Sequence, residues 1–176
     1  MEFSAVICLD GMGGDYAPSK EIDGALAAAG ELSKKNIGIA ILGKLDVLNG
    51  YRKSTNLPEN VFYIQADSTV TMYDEPSAVI KKKRDSSLFI GLDGLKNGVF
   101  KAFVSSGNTG AVMATSTLVL GRIKGVNRPT IGAFLPTLTS LPTLLIDVGA
   151  NVDTKPRQLF EFAQMGSIYY KEIFNV

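Results

Sequence analysis

Histidine is absent from this chain. That excludes a Ser-His-Asp triad, a Cys-His pair and any metal site built on imidazole. Whatever chemistry occurs has to use carboxylates, lysine, arginine, hydroxyls, backbone amides or the substrate itself. Cysteine is nearly absent as well: Cys8 stands alone inside an apolar run. A lone thiol cannot form an intramolecular disulfide, and a reducing, cytosolic compartment is the simplest expectation. Net charge is almost missing, 18 Lys and Arg against 17 Asp and Glu for +1. No global field therefore draws the chain to nucleic acid or an anionic membrane, and an electrostatic partner has to be met by a local cluster. No apolar run approaches the ~20 residues of a spanning helix. Asp10 and Asp15 interrupt the only N-terminal stretch that could pass for a signal peptide. Contact with a membrane surface stays open.

What is present is an ordinary globular composition, 45% hydrophobic and 20% charged over 176 residues, enough for one domain with a full core. Short apolar runs alternate with longer amphipathic ones, as in repeated βα units. Strands are expected at residues 5–9, 37–42, 61–66, 102–105, 130–135 and 143–147. Helices are expected after Pro18 (with Ile22, Leu26 and Ala29 on the apolar face) and over residues 44–52, 76–83, 86–96, 111–120 and 156–173. Runs such as Leu144-Leu145-Ile146 are apolar on both faces. They predict an α/β fold whose mostly parallel sheet is flanked by helices on both faces. No repeat, low-complexity tract or linker is visible. The sequence stops at Phe174-Asn175-Val176 directly after a helix, which in a βα series reads as an interruption.

Three glycine-rich loops follow strands: Asp10-Gly-Met-Gly-Gly-Asp15, Ser105-Ser-Gly-Asn-Thr-Gly110 and Asp147-Val-Gly-Ala-Asn-Val-Asp153. In one parallel sheet all of them would emerge at the carboxyl ends of the strands, where α/β proteins hold ligands. Glycine lets backbone approach a ligand, and the first turn of a following helix offers unpaired N–H groups to an anion. Ser105–Gly110 leads straight into a helix, which makes it the best phosphate cradle, with Asn108 and Thr109 adding side-chain donors. Any one of these loops could be purely structural; together they favour a shared site. No Walker A loop is present, and the first loop lacks the G-x-G-x-x-G spacing, so no nucleotide cofactor is indicated.

Lys81-Lys82-Lys83-Arg84 is the densest charge in the chain. Such a run suits a solvated helix end as well as an anion clamp, and Ser86 could cap the helix after it. Arg122, Lys124 and Arg128 form a second basic cluster. Asp147 and Asp153 could hold Mg²⁺, or equally cap turns or pair with Lys155.

These loops, in this order, resemble the phosphate acyltransferase (PlsX) family of bacterial phospholipid synthesis. The resemblance rests on Asp10–Asp15, Lys82-Lys-Arg-Asp-Ser-Ser87 and Ser105-Ser-Gly-Asn-Thr-Gly-Ala-Val-Met113. It continues through Leu120-Gly-Arg-Ile-Lys-Gly125, Arg128-Pro129, Leu135-Pro-Thr137, Asp147–Asp153, Lys155-Pro156 and Phe162-Ala-Gln-Met-Gly-Ser167. It implies a fold similar to isopropylmalate dehydrogenase and phosphotransacetylase. The implied activity is transfer of a fatty acyl group from acyl carrier protein to inorganic phosphate, forming acyl phosphate. A homodimer loosely associated with the inner face of the membrane, without cofactor or metal, is implied too. On that basis Ser106, Gly107, Asn108, Thr109 and Gly110 would hold phosphate, while Lys82, Arg84 and Arg122 supply charge. Asp10, Asp15, Asn151 and Asp153 would order the loops and reacting groups. Lys81, Lys82, Lys83, Lys124 and Arg128 would meet the acidic carrier protein.

The sequence departs from the family in two ways. The first loop of the family ends in Gly-Gly-Asp-His, and here the last position is Tyr16, which can donate a hydrogen bond but is a poor base at neutral pH. Family members are also roughly twice as long, so residues 1–176 correspond to the N-terminal part of one domain with its C-terminal half absent. Rival expectations are a non-catalytic phosphate-binding remnant, which would expose apolar surface, and a phosphotransacetylase-like enzyme acting on acyl-coenzyme A. A decarboxylating dehydrogenase is the weakest, because no nicotinamide-binding pattern is present.

Overall fold

The computed structural model describes residues 2–51, 56–149, 151 and 153–176. Arg52, the expected end of one helix, and Ala150 and Val152 of the third loop lie outside the described residues. The chain forms two compact units, Met1–Gly121 and Arg122–Val176.

In the first unit, elements run β1 (Ala5–Asp10), α1 (Ser19–Lys34), β2 (Ile37–Gly43), α2 (Leu45–Tyr51) and β3 (Val61–Gln65). They continue with α3 (Pro76–Lys82), α4 (Ser87–Lys96), β4 (Ala102–Val104) and α5 (Thr109–Val119). The strands form one parallel sheet in the order β3-β2-β1-β4. Two hydrophobic layers sandwich it, because side chains alternate across a strand. Ile39 and Ile41 face Ile22, Ala25 and Ala29 of α1. Cys8, Ala40 and Leu42 face the other way and pack with Phe100, Phe103 and Ile90. The central strand β2 is buried from Gly38 to Gly43, as the continuous apolar run anticipates. A third cluster, Val79, Leu88, Leu92, Ala111 and Val119, joins α3, α4 and α5. Ser86 caps α4 as expected, its hydroxyl accepting from Phe89 N at 3.3 Å.

The second unit contains β5 (Gly132–Leu135), β6 (Thr143–Ile146) and α6 (Pro156–Phe174). Here the pairing differs from the expected parallel arrangement. β5 and β6 form an antiparallel pair of their own, with Gly132 opposite Ile146 and Leu135 opposite Thr143. The cause is the connection. Residues 136–142 suffice for a hairpin loop, whereas a parallel neighbour needs a crossover of about a dozen residues or more. Thr143 and Leu145 are exposed while Leu144 and Ile146 are half-buried, the alternation of a strand covered on one face only. α6 supplies that cover. Gly166 sits against Ile146, Phe162 is buried, and Tyr170 donates its hydroxyl to Pro142 O at 2.7 Å.

Candidate functional site

β1 and β4 are adjacent and parallel, so the loops leaving Asp10 and Val104 emerge side by side at the carboxyl edge of the four-stranded sheet. They meet backbone to backbone. A Cβ added to Gly107 would lie 3.0 Å from both Cα and O of Gly13. One added to Gly13 would run into Asp10 Oδ2 and lie 3.1 Å from Gly107 Cα. Only glycine at both positions allows this approach.

Asp10 ties the junction together from below. It is 2% exposed. Its Oδ1 accepts from Ser87 Oγ at 2.6 Å and from Met12 N at 3.2 Å, and its Oδ2 accepts from Ser105 Oγ at 2.8 Å. One carboxylate thus joins the end of β1, the first residue of α4 and the start of the second loop. Ser105 Oγ in turn accepts from Gly107 N at 3.1 Å. A buried charge is tolerable only with such a set of donors.

Beside this junction stands Glu21, in the first turn of α1 and 8% exposed. Its Oε1 accepts from Ser106 Oγ at 2.9 Å, and Oε2 is buried with no hydrogen-bond partner among the described residues. Sequence reading missed Glu21, as it missed the roles of Ser87 and Ser105. The available signal was an acidic residue in the first turn after a glycine loop, a common helix-dipole preference that points to no partner.

Asn108 caps α5, its Oδ1 accepting from Ala111 N at 3.0 Å. Its amide nitrogen is engaged within the fold. Nδ2 donates to the carbonyls of Thr71, Met72 and Asp74 at 3.1, 3.2 and 3.0 Å. Those residues are pinned in turn by Asp74, whose Oδ2 accepts from Lys83 Nζ at 2.7 Å and Thr71 N at 2.6 Å. The Lys83 bond, then the Thr71 amide, hold the Asp74 carboxyl below its ordinary range. Asn108 and Lys83 therefore secure the start of α5. What the loop leaves open is backbone: Thr109 and Gly110 are exposed, and the amides of a first helical turn have no acceptor within the helix.

The remaining expected residues fall into separate groups. Lys81, Lys82 and Arg84 are exposed around the end of α3, with Arg84 stacked 5.7 Å over the Phe89 ring. Asp15 and Tyr16 are exposed on the first loop. Arg122, Lys124, Arg128, Asn151 and Asp153 belong to the second unit. There Arg122 donates to Asn127 O, and Arg128 donates to Asp153 O at 3.2 Å. The third glycine loop thus follows β6 of the two-stranded sheet, and the expectation that it leaves the same sheet edge as the other two is corrected. Asp147, at φ 68°, accepts from Asn151 Nδ2 at 2.7 Å, Thr154 at 3.1 Å and Thr130 at 3.3 Å. The Asn151 bond leads in holding its carboxyl below the usual range. Of the alternatives open for Asp147, this is the turn cap. Among the described residues no group of three or more acidic or cysteine side chains gathers as a metal site would require. No described helix is long and apolar enough to cross a membrane.

A parallel α/β sheet with two glycine loops locked together at its carboxyl edge defines the class of protein that holds a ligand beyond the strand ends. Within that class the chain belongs to the family described as fatty acid synthesis protein, whose model matches residues 5–176. It is 41% identical over 171 residues to a phosphate acyltransferase of Dictyoglomus turgidum, covering 97% of this chain and 50% of that protein. It is 44% identical over 170 residues to the phosphate acyltransferase of Thermoanaerobacterium thermosaccharolyticum, covering 97% and 49%. A Synechococcus phosphate acyltransferase is also 44% identical over 170 residues, covering 97% and 44%. The chain spans about half the length of the curated relatives it matches.

Proposed function

We propose that this chain carries the phosphate-holding part of an acyltransferase that moves a fatty acyl group from acyl carrier protein to inorganic phosphate. The observation that carries the reading is the Gly13–Gly107 junction beside the first turn of α5, in a chain whose relatives are named phosphate acyltransferases. An oxygen of hydrogen phosphate attacks the thioester carbonyl. The new C–O bond forms as the C–S bond breaks, and the phosphate proton ends on the leaving thiol. The nucleophile is already charged at neutral pH, so positioning and oxyanion stabilisation are the main demands, and a histidine base is dispensable.

In this reading the backbone of Ser106, Gly107, Thr109 and Gly110 holds phosphate, with Asn108 positioning it through the cap of α5. Lys82, Arg84 and Arg122 supply positive charge, and Asp10, Asp15, Asn151 and Asp153 order the loops. Lys81, Lys82, Lys124 and Arg128 meet the acidic carrier protein, while Lys83 contributes by fixing Asp74. The working enzyme is a homodimer at the cytoplasmic side of the membrane, and residues 1–176 form the N-terminal part of its domain.

The test is to incubate the chain with phosphate and either acyl-acyl carrier protein or acyl-coenzyme A, trapping acyl phosphate as its hydroxamate. Phosphate-dependent product, faster from the carrier protein, is expected. Preference for the coenzyme would turn the reading toward a phosphotransacetylase. Phosphate binding without product from either donor, in this chain and in one extended to family length, would leave a non-catalytic phosphate binder.

A further inference from the structure

Between β3 and α3 the chain runs through residues 67–75 with no strand or helix of its own, apart from one bridge between Ser68 and Ser86. Irregular backbone of this kind needs partners for its N–H and C=O groups. This strap finds them at both ends and in the middle. At the near end Asp85 O accepts from Asp67 N at 3.0 Å, and Asp85 Oδ1 accepts from Ser68 Oγ at 2.6 Å. Val70 is buried in the apolar cluster that includes Ala111 of α5. At the far end Asp74 Oδ2 gathers three donors: Lys83 Nζ at 2.7 Å, Thr71 N at 2.6 Å and Thr71 Oγ1 at 2.9 Å. Lys83, directly after α3, also donates from Nζ to Thr69 O at 2.7 Å.

The middle of the strap meets the second glycine loop. The two hydrogens on Asn108 Nδ2 are shared among the carbonyls of Thr71, Met72 and Asp74. Three carbonyls converge on one nitrogen because residues 71–74 form a turn, closed by Asp74 N donating to Thr71 O at 3.2 Å. The Asp74 carboxylate holds that turn from inside. The same Asn108 caps α5 through Oδ1, so the strap sets its orientation on one side and the helix uses it on the other. A Cβ added to Gly110 would lie 3.2 Å from Pro76 Cγ, so the chain leaving the strap reaches the first turn of α5.

We infer that Asp74 is a positioning residue for phosphate, acting through Asn108 on the amides of the first turn of α5. The inference rests on the phosphate-holding reading for the ligand, and on this chain of hydrogen bonds for the residue. Its sign separates it from simple electrostatics. An aspartate near an anion site weakens anion binding by its charge, so neutralising it should tighten phosphate. A positioning aspartate does the opposite. Without it the turn loosens, Asn108 loses its three converging acceptors, and the amides of α5 no longer point at one place.

The test titrates inorganic phosphate by calorimetry into this chain and into one extended to family length, with urea unfolding measured alongside. Asp74→Asn keeps the shape and removes the charge, and should weaken phosphate binding at least about tenfold. Thr71→Val removes one hydroxyl from the turn without changing charge, and should weaken it about threefold. Tyr73→Ser, on the same turn but with its side chain 97% exposed, should leave it intact. Asn108→Ala should weaken binding as Asp74→Asn does. The double variant should match Asn108→Ala to within about twofold, because the two residues act in series. Phosphate affinity unchanged or tighter in Asp74→Asn, with or without a loss of stability, would overturn the inference and leave the phosphate-holding reading intact. Additive losses in the double variant would do the same. Should Asp74→Asn unfold the chain, Thr71→Val decides, and unchanged phosphate affinity there counts against the inference. No phosphate binding by either wild-type chain would sink the phosphate-holding reading and the inference with it.

Discussion

Asp10 shows how a residue readable as a loop aspartate becomes something more specific. The sequence marks it as the last residue of an apolar strand, before glycines. Its partners Ser87 and Ser105 lie 77 and 95 positions away, and no local pattern encodes such pairings. Glu21 is the same case, since its partner Ser106 is 85 positions distant. Cys8, in contrast, was fully legible. It lies in register between Ala40 and Phe103 on the covered face of β1, and burial, helped by the nearby Asp10 carboxylate, pushes its thiol up to about 12. Only the thiolate reacts with disulfide reagents, and at pH 8 about one part in ten thousand would be ionised. Native protein should therefore resist Ellman's reagent for hours and release one equivalent of thionitrobenzoate in denaturant. Fast labelling of the folded chain would contradict this placement.

At the scale of elements, the packing of two loops matters more than either loop alone. Gly107→Ala would drive a methyl into the backbone of Gly13 at 3.0 Å, and backbone cannot move aside as a side-chain tip can. A loss of about 2 kcal/mol in urea unfolding is expected, together with at least tenfold weaker phosphate binding. Gly24→Ala is the control. It sits within α1 with nothing within 4 Å of the added Cβ, and should be neutral or stabilising by about 0.5 kcal/mol. Equal effects at the two positions would mean that the loops are not held together as described. Helix ends were legible to within about two residues, because Ser86, Pro76 and Pro156 carry their own boundary chemistry. The partner of a strand was less so. β5 and β6 have the composition of parallel core strands, and only the short connection between them signals a hairpin.

For the whole molecule, the division at Gly121 and Arg122 is the main organising fact. The stretch after α5 is exposed from Leu120 to Gly125, and Gly121 and Gly125 adopt φ of 82° and 90°. Arg122 and Lys124 within it offer trypsin two sites on irregular backbone, which is where nicking concentrates. Limited trypsin digestion should cut there first and leave residues 1–122 or 1–124 as a persisting fragment, identified by mass. A first cut at Lys34, Lys44 or Lys96, inside or beside the elements of the first unit, would show that this unit is less cooperative than its packing implies.

The sequence alone determined the secondary structure, the parallel βα character of the first unit, the chemistry excluded by missing histidine and the glycine loops that mark a ligand edge. Those features are local: they depend on side-chain periodicity, turn residues and composition within a few positions. Tertiary structure alone decided that two of the three loops meet, that Asp10 and Glu21 hold them, and that Asn108 and Lys83 serve as internal ties. Each of these depends on contacts between residues far apart in the chain, which are made only once the strands have been ordered and the helices laid across them.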